Sequence, residues 1–361
     1  MTNNATIAAA GVVTALGDLE DTWQGLLAGR SAISEKGLDD DLAKWPAALV
    51  PDLDGELGGH KRLDQLLDRL IDDLPALSEN TRLVAATTKS ASDELLNLPP
   101  DQWQAQPWDL AGIIAGKAGT AGRQVTISAA CASGTLALIN GVQQITNGEA
   151  QAVLVVGVDL VSRFVQAGFS RLQALSRQGA RPFDKDRDGL SLGEGAGYIL
   201  FKREAAPFLR VGGWGAACDA RHITAPCRQA SGLIKAIGQT IGGGSRKVGA
   251  INAHGTGTVY NDAMEMVAID QVFEGRIPVH SVKGSIGHTL GAAGVIEAAL
   301  ALKALREGVI PPTAGLGVPE KERWRVSGEK KQLLEHPSIL TCNSGFGGIN
   351  AALLFEHDTG Q

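Results

Sequence analysis

The segment from Ala292 to Leu305 is apolar on nearly every side, with a single carboxylate, Glu297, inside it. A helix of that kind cannot lie on a surface, because any outward face would expose apolar side chains to water. It must be enclosed by other elements. The run Ala152-Val-Leu-Val-Val-Gly-Val158 makes the same demand for a strand, since continuous apolar runs belong to strands covered on both faces. Tyr198–Phe201, Ile339–Asn343 and Ala351–Phe355 are further strand candidates. Strands that alternate with buried helices predict a layered α/β protein. The length of 361 residues suggests two structural units. We place the division at residues 1–206 and 207–361, within a seam at Pro207–Gly215, although no clean repeat is visible in the sequence.

Glu297 needs a partner, because an unpaired charge inside such a helix is very costly. Lys283 is the candidate. Between His60 and Leu74, Leu63, Leu66, Leu67, Leu70, Ile71 and Leu74 share one helical face. The opposite face, with Lys61, Arg62, Asp64, Asp68, Arg69, Asp72 and Asp73, reads as solvated. Pro99-Pro100 and Trp103–Trp108 read as an irregular connection, and Gly242–Ser245 as a flexible turn.

Cys131 sits in Val125-Thr-Ile-Ser-Ala-Ala-Cys131-Ala-Ser-Gly134-Thr135. The apolar residues give way to small ones and then resume at Leu136, which predicts a strand, a tight turn and a helix start with the thiol at the turn. The free N–H groups and positive end of that helix would favour the thiolate. A lone buried cysteine is more often a small hydrophobe. Two histidines raise its standing: His254 in His-Gly-Thr-Gly-Thr258, and His288 in Lys283-Gly-Ser-Ile-Gly-His288. Together they supply a nucleophile and two groups that carry protons or hydrogen bonds, the tools of carbon–carbon bond chemistry.

Other patterns weigh less. Asp262 with Glu265 three residues later resembles a capping box, with Glu265 alternatively helping to hold Lys283. Asp184-Lys-Asp186-Arg-Asp188-Gly189 imitates the start of a calcium loop, but its twelfth position is Gly195 rather than glutamate. Gly112–Ala118 imitates a phosphate loop with the wrong spacing and no hydroxyl after the lysine. The four cysteines form no CxxC pair, so no zinc site, other metal site or disulfide framework is expected. A net charge of -6 argues against nucleic acid as a partner. The start, Met1-Thr-Asn-Asn, lacks a basic leader, and Ala8–Ala15 is too short to span a bilayer. A cytoplasmic protein without a membrane span is therefore expected.

Taken together, Ala-Cys131-Ala-Ser-Gly, Arg181-Pro-Phe-Asp-Lys-Asp-Arg-Asp-Gly, Gly193-Glu-Gly-Ala-Gly, His254-Gly-Thr-Gly-Thr, Gly287-His-Thr-Leu-Gly-Ala-Ala-Gly and Gly345-Phe-Gly-Gly resemble, in order, the motifs of the β-ketoacyl-acyl-carrier-protein synthases. The likeness is strong from Val125 to Phe355 and weaker between Gly11 and Ser34. It implies a thiolase-like α-β-α-β-α fold of five layers, made of two similar halves, and a dimer with itself or with a second ketosynthase-like subunit. It also implies a decarboxylative condensation of an acyl thioester with a malonyl thioester in fatty acid or polyketide synthesis. By the family pattern Cys131 is acylated, His254 and His288 act in decarboxylation and condensation, and Lys283 is supported by Asp262, Glu265 and Glu297. Thr256, Thr258, Phe169 and Ser344 would meet the substrate. The backbone N–H groups of Cys131 and Phe346 would form the oxyanion hole. No cofactor is implied beyond the phosphopantetheine of an acyl carrier protein, for whose docking Lys61, Arg62, Arg69, Arg163 and Arg171 are candidates.

Three departures stand out. Ser344 stands where the family usually has a gating phenylalanine, Ser128 stands where threonine is common, and the region before Cys131 is short. They motivate a second reading, a non-elongating partner subunit like a chain-length factor. The intact cysteine counts against it.

Overall fold

The computed structural model describes residues 5–357 apart from 39, 103, 105, 204–208, 245, 275, 322–323 and 329–330. Met1–Asn4, Trp103, Ser245 and the 206/207 boundary therefore lie outside the described residues.

Among the described residues, ten strands form one mixed sheet. They are β1 (Ala5–Thr14), β2 (Arg82–Ala86), β3 (Gln124–Ile127), β4 (Ala152–Asp159), β5 (Gly195–Arg203), β6 (Leu209–Cys218), β7 (Ala250–Asn252), β8 (Val279–His280), β9 (Ser338–Gly345) and β10 (Ile349–His357). The spatial order is β3-β2-β4-β5-β1 followed by β6-β10-β9-β7-β8. Among the described residues the two sets of strands pair only through Thr6 opposite Arg210, so the sheet is two smaller ones joined at an edge.

The sets repeat one plan. In the first, β2 runs parallel to β3 and β4, while β5 is antiparallel to β4 and β1. In the second, β7 runs parallel to β8 and β9, while β10 is antiparallel to β9 and β6. Each strand of the first set thus has its counterpart five strands later. Motif searching missed this repeat because it lies in strand order and direction, which any apolar side chains can satisfy.

Seven helices define the layers: α1 (His60–Ile71), α2 (Leu110–Ala118), α3 (Ser133–Thr146), α4 (Arg163–Arg171), α5 (Ser231–Thr240), α6 (Val259–Phe273) and α7 (Ala293–Glu307). Strand alternation sorts side chains between them. Val153, Val155, Ile339, Leu353 and Phe355 point inward onto α3 and α7. Leu154 and Val156 point outward beneath α1 and α2. Leu340 and Leu354 point outward beneath α5 and α6. The result is five layers, α-β-α-β-α, of the expected thiolase-like class. The apolar helix that opened the sequence reading is α7, and Val295, Ile296, Ala298 to Leu302, Ala304 and Leu305 are all buried.

The solvated face of α1 needs one correction. Arg62 is buried, contacts Glu194 and donates to the carbonyl oxygens of Leu53 and Val50. A buried guanidinium with each of its three nitrogens engaged inside the protein cannot dock a carrier. Arg69 is exposed and donates to the Pro51 carbonyl at 2.7 Å and also to that of Asp52, and Lys61 pairs with Asp54 at 3.5 Å. Among the described residues, no helix is long and apolar enough to cross a membrane.

Candidate active site

Cys131 and His288 occupy matching places in the two sets of strands. Cys131 lies between β3 and α3, and His288 between β8 and α7. The central helices therefore bring their N-terminal ends, each with one chemical residue, to a common point. Ala130, just before the cysteine, has φ of +49°, a left-handed conformation that a side chain disfavours. That elbow turns the sulfur out of the strand direction.

His288 Nε2 is 3.0 Å from Cys131 Sγ. The His254 and His288 rings meet edge to face with centroids 5.1 Å apart. One ligand atom from each of the three residues lies within 4.8 Å of the others. This spacing would also suit a soft divalent ion, which the cysteine count did not foresee because the three residues come from distant segments.

All three are buried, at 7% exposure for Cys131, 3% for His254 and 1% for His288. Burial pushes the Cys131 thiol up to about 12, partly offset by the charge of Lys283. The backbone N–H at the helix start still favours the thiolate, as expected, but loss of hydration outweighs it. Burial lowers both imidazoles well below their ordinary value, and Lys283 adds to the effect. At neutral pH the resting site holds a thiol and two neutral rings.

Lys283 begins a short helical turn, Lys283–Ile286. Its ammonium donates to the His254 carbonyl oxygen at 2.6 Å and also contacts Glu297, as the sequence suggested. Both charges are buried, so each depends on the other. Glu265 also feels the charge of Lys283, but it and Asp262 chiefly bind backbone groups. Among the described residues, neither makes a hydrogen bond or ion pair with Lys283. Glu265 accepts from the backbone N–H groups of His254 and Gly255, both at 2.7 Å. Asp262 accepts from the N–H groups of Thr256 at 3.1 Å and Phe183 at 2.8 Å. The capping box is also corrected: Thr258 precedes α6, and Asp262 lies a turn inside it. The two acids reach back and fix the loop that carries His254.

Two residues escaped the sequence reading. Asn343, at the end of β9, donates from Nδ2 to Glu297 Oε2 at 2.8 Å and lies 3.2 Å from His254 Nδ1. Thr135, in α3, contacts Asn343 Oδ1. A polar residue closing an apolar strand was the only available signal, and it does not say which way the side chain points.

The cavity has a volume of about 330 Å³ and is lined by Cys131, His254 and His288 together with Thr256, Thr258, Phe169 and Ser344. Its rim carries exposed Leu172, Ile223, Val259 and Tyr260, so the mouth is largely apolar. Phe169 and Phe346 face each other across it with ring centroids 5.5 Å apart. Ser344 donates to Asn350 Oδ1 at 2.8 Å. A Cβ added at Gly345 would lie 3.3 Å from Cys131 N, so the strand end before Phe346 is pressed against the nucleophile's backbone.

Two family models match the chain. They are described as "Beta-ketoacyl synthase, N-terminal domain", over residues 76–206, and "Beta-ketoacyl synthase, C-terminal domain", over residues 209–317. The 3-oxoacyl-[acyl-carrier-protein] synthase 2 of Synechocystis sp. is 35% identical over 268 residues, covering 68% of this chain and 64% of that protein. The chain spans between 49% and 65% of the length of the curated relatives it matches. Among solved structures, the ishigamide ketosynthase/chain length factor superposes with a TM-score of 0.85 at 28% identity, covering 98% of both chains. A ketosynthase in complex with its chain length factor, from Xenorhabdus doucetiae, gives 0.80 at 28% identity and the same coverage.

Proposed function

The chain belongs to the β-ketoacyl synthase family, and from that premise we infer that it condenses an acyl thioester with a malonyl thioester, both delivered on an acyl carrier protein. The observation that carries the reading is Cys131 Sγ at 3.0 Å from His288 Nε2, with His254 beside them in one cavity.

The chemistry follows in steps. Cys131 attacks the acyl carbonyl, and as its S–H bond breaks the proton passes to His288 Nε2 and then to the departing pantetheine sulfur. Thr256 and Thr258 stand along the cavity wall where that arm would enter. A malonyl thioester follows and loses carbon dioxide. The enolate oxygen then takes hydrogen bonds from the two imidazoles, which burial keeps neutral. Donors fixed in a dry site can each contribute about 3–4 kcal/mol to a developing oxyanion. The enolate carbon attacks the acyl group on Cys131, with the backbone N–H groups of Cys131 and Phe346 as the oxyanion hole. The thiolate leaves and takes up one proton from water, the proton that the overall condensation consumes.

The test is purified protein given acyl and malonyl carrier, alone and with a neighbouring ketosynthase-like subunit. An acyl adduct on Cys131 and a β-ketoacyl product are expected. Absence of both under both conditions removes the reading.

A second reading, a partner subunit of a heterodimer, draws on the two structural matches to ketosynthase/chain length factor assemblies at 28% identity over 98% of the chain. The complete set Cys131, His254 and His288 favours the catalytic role over it. Native mass spectrometry separates them: an active homodimer supports the first, and an inert chain that pairs with a separate ketosynthase supports the second.

A further inference from the structure

Asn343 faces a carboxylate on one side and a hydroxyl on the other. Glu297 Oε2 lies 2.8 Å from its Nδ2, and the hydroxyl of Thr135 contacts its Oδ1. A carboxylate held by an ammonium accepts hydrogen bonds, so the amide must turn its NH2 toward Glu297. This NH2 is also the group 3.2 Å from His254 Nδ1. A protonated Nδ1 would then meet an N–H group head-on. His254 Nδ1 must therefore accept, and the ring's proton sits on Nε2.

His288 is held differently. Its Nε2 faces the sulfur of Cys131, and its Nδ1 is buried with no hydrogen-bond partner among the described residues. Among the described residues no group holds that nitrogen and so fixes its tautomer.

We propose that Asn343 is a positioning residue that locks His254 in the Nε2–H tautomer, committing that ring to donating into the cavity and leaving proton exchange with Cys131 to His288. The inference rests on the condensing reading only for its purpose, and the geometry stands without it. The proposed cycle needs His288 in two states. It must present a bare Nε2 to take the thiol proton, with its own proton on Nδ1, and later an Nε2–H to donate to the enolate. His254 needs one state throughout. The lock also bears on the metal-like spacing of Cys131, His254 and His288, because an Nε2 that carries a proton offers no lone pair to a cation.

The test is long-range proton–nitrogen correlation spectroscopy on the full chain labelled with 15N-histidine, with no substrate present. His254 signals are assigned by their loss in His254→Gln. The wild type is expected to show His254 as a single Nε2–H tautomer, unchanged when Cys131 is alkylated, while the His288 signals move. Asn343→Asp presents an acceptor to Nδ1 and should transfer the His254 proton there. If the added carboxylate beside Glu297 prevents folding, Asn343→Ala and Thr135→Val serve instead, and each should give a mixture of tautomers. In the malonyl assay Asn343→Asp, which moves the proton to Nδ1 and so removes the donor, should lower the kcat of carbon dioxide release by roughly a hundredfold with little change in KM, whereas Asn343→Ala should lower it only in proportion to the Nδ1–H fraction. A wild-type His254 protonated at Nδ1, or a tautomer that stays put in every folded variant, overturns the proposal. A protein that shows the lock but never condenses would instead remove the functional reading and leave this one intact.

Discussion

Gly134 and Gly294 are each the second residue of a central helix, and each is pressed against the other helix. A Cβ on Gly134 would lie 2.8 Å from Val295 N and 2.9 Å from the Gly291 carbonyl oxygen. A Cβ on Gly294 would lie 2.3 Å from Thr135 N. The atoms that would be struck are backbone, which cannot rotate away. The contact lies just after Cys131 on one side and His288 on the other, so it sets the separation of sulfur and ring.

Gly134→Ala should push the two helix ends apart. Overpacking of this kind typically costs about 1–3 kcal/mol. The expected outcome is a lower denaturant midpoint and a larger fractional loss of Cys131 acylation than of folded protein at low denaturant. Full acylation in a protein of unchanged stability would contradict the close approach.

Lys283 and Glu297 form a buried pair whose members stand or fall together. Lys283→Met leaves an uncompensated carboxylate and should cost about 3–5 kcal/mol, whereas Lys283→Met with Glu297→Leu should recover much of that loss. Chemical denaturation of the two variants decides the point. A double variant no more stable than the single one would show that the pair matters for reasons other than charge.

Stability should fall in acid, and His280 supplies part of the fall. It is buried with neither ring nitrogen partnered among the described residues, and burial lowers it to about 3. Its value in the unfolded chain is near the ordinary 6.5. As pH drops through that value the unfolded chain takes up a proton that the folded chain refuses, so stability present above it is lost between there and about 3. His254 and His288 act in the same direction. Between neutral and mildly acidic pH, His280→Leu should reduce the loss by about 2 kcal/mol. Denaturant titrations at the two pH values measure it, and an identical loss in wild type and variant would remove His280 from the account.

Ser344 lines the cavity beside Gly345 and Phe346. Ser344→Phe should narrow the cavity and shift the acyl groups carried by Cys131 toward shorter chains. Mass spectrometry of the adduct, with a mixture of acyl carriers supplied, reads the distribution. An unchanged distribution would mean that Ser344 does not set the limit. The bond from Ser344 to Asn350 is lost in the variant, so stability should be checked beside it.

Cys131→Gln should abolish the acyl adduct yet retain carbon dioxide release from malonyl carrier, because in the proposed cycle that step uses the imidazoles and not the sulfur. Loss of both in a folded variant would tie decarboxylation to the thiol.

The sequence by itself determined the class of fold, because a helix apolar all round and strands apolar on both faces allow few arrangements besides stacked layers. It also singled out Cys131, His254, His288 and Lys283, whose small neighbours mark turns, and it paired Lys283 with Glu297 from the cost of burying a lone charge. Tertiary structure decided the rest. Arg62 looked solvated because periodicity gives a helix face but not what covers it. Asp262 and Glu265 looked like a cap because spacing cannot show that their side chains turn back onto the His254 loop. The thiol at a helix end looked activated until burial was weighed against the dipole. Asn343 carried only the weak mark of a polar residue after an apolar strand, and Thr135 carried none. Their roles depend on β9, α3 and α7 meeting in one place, and contacts between distant segments are set by packing geometry, which no local pattern records.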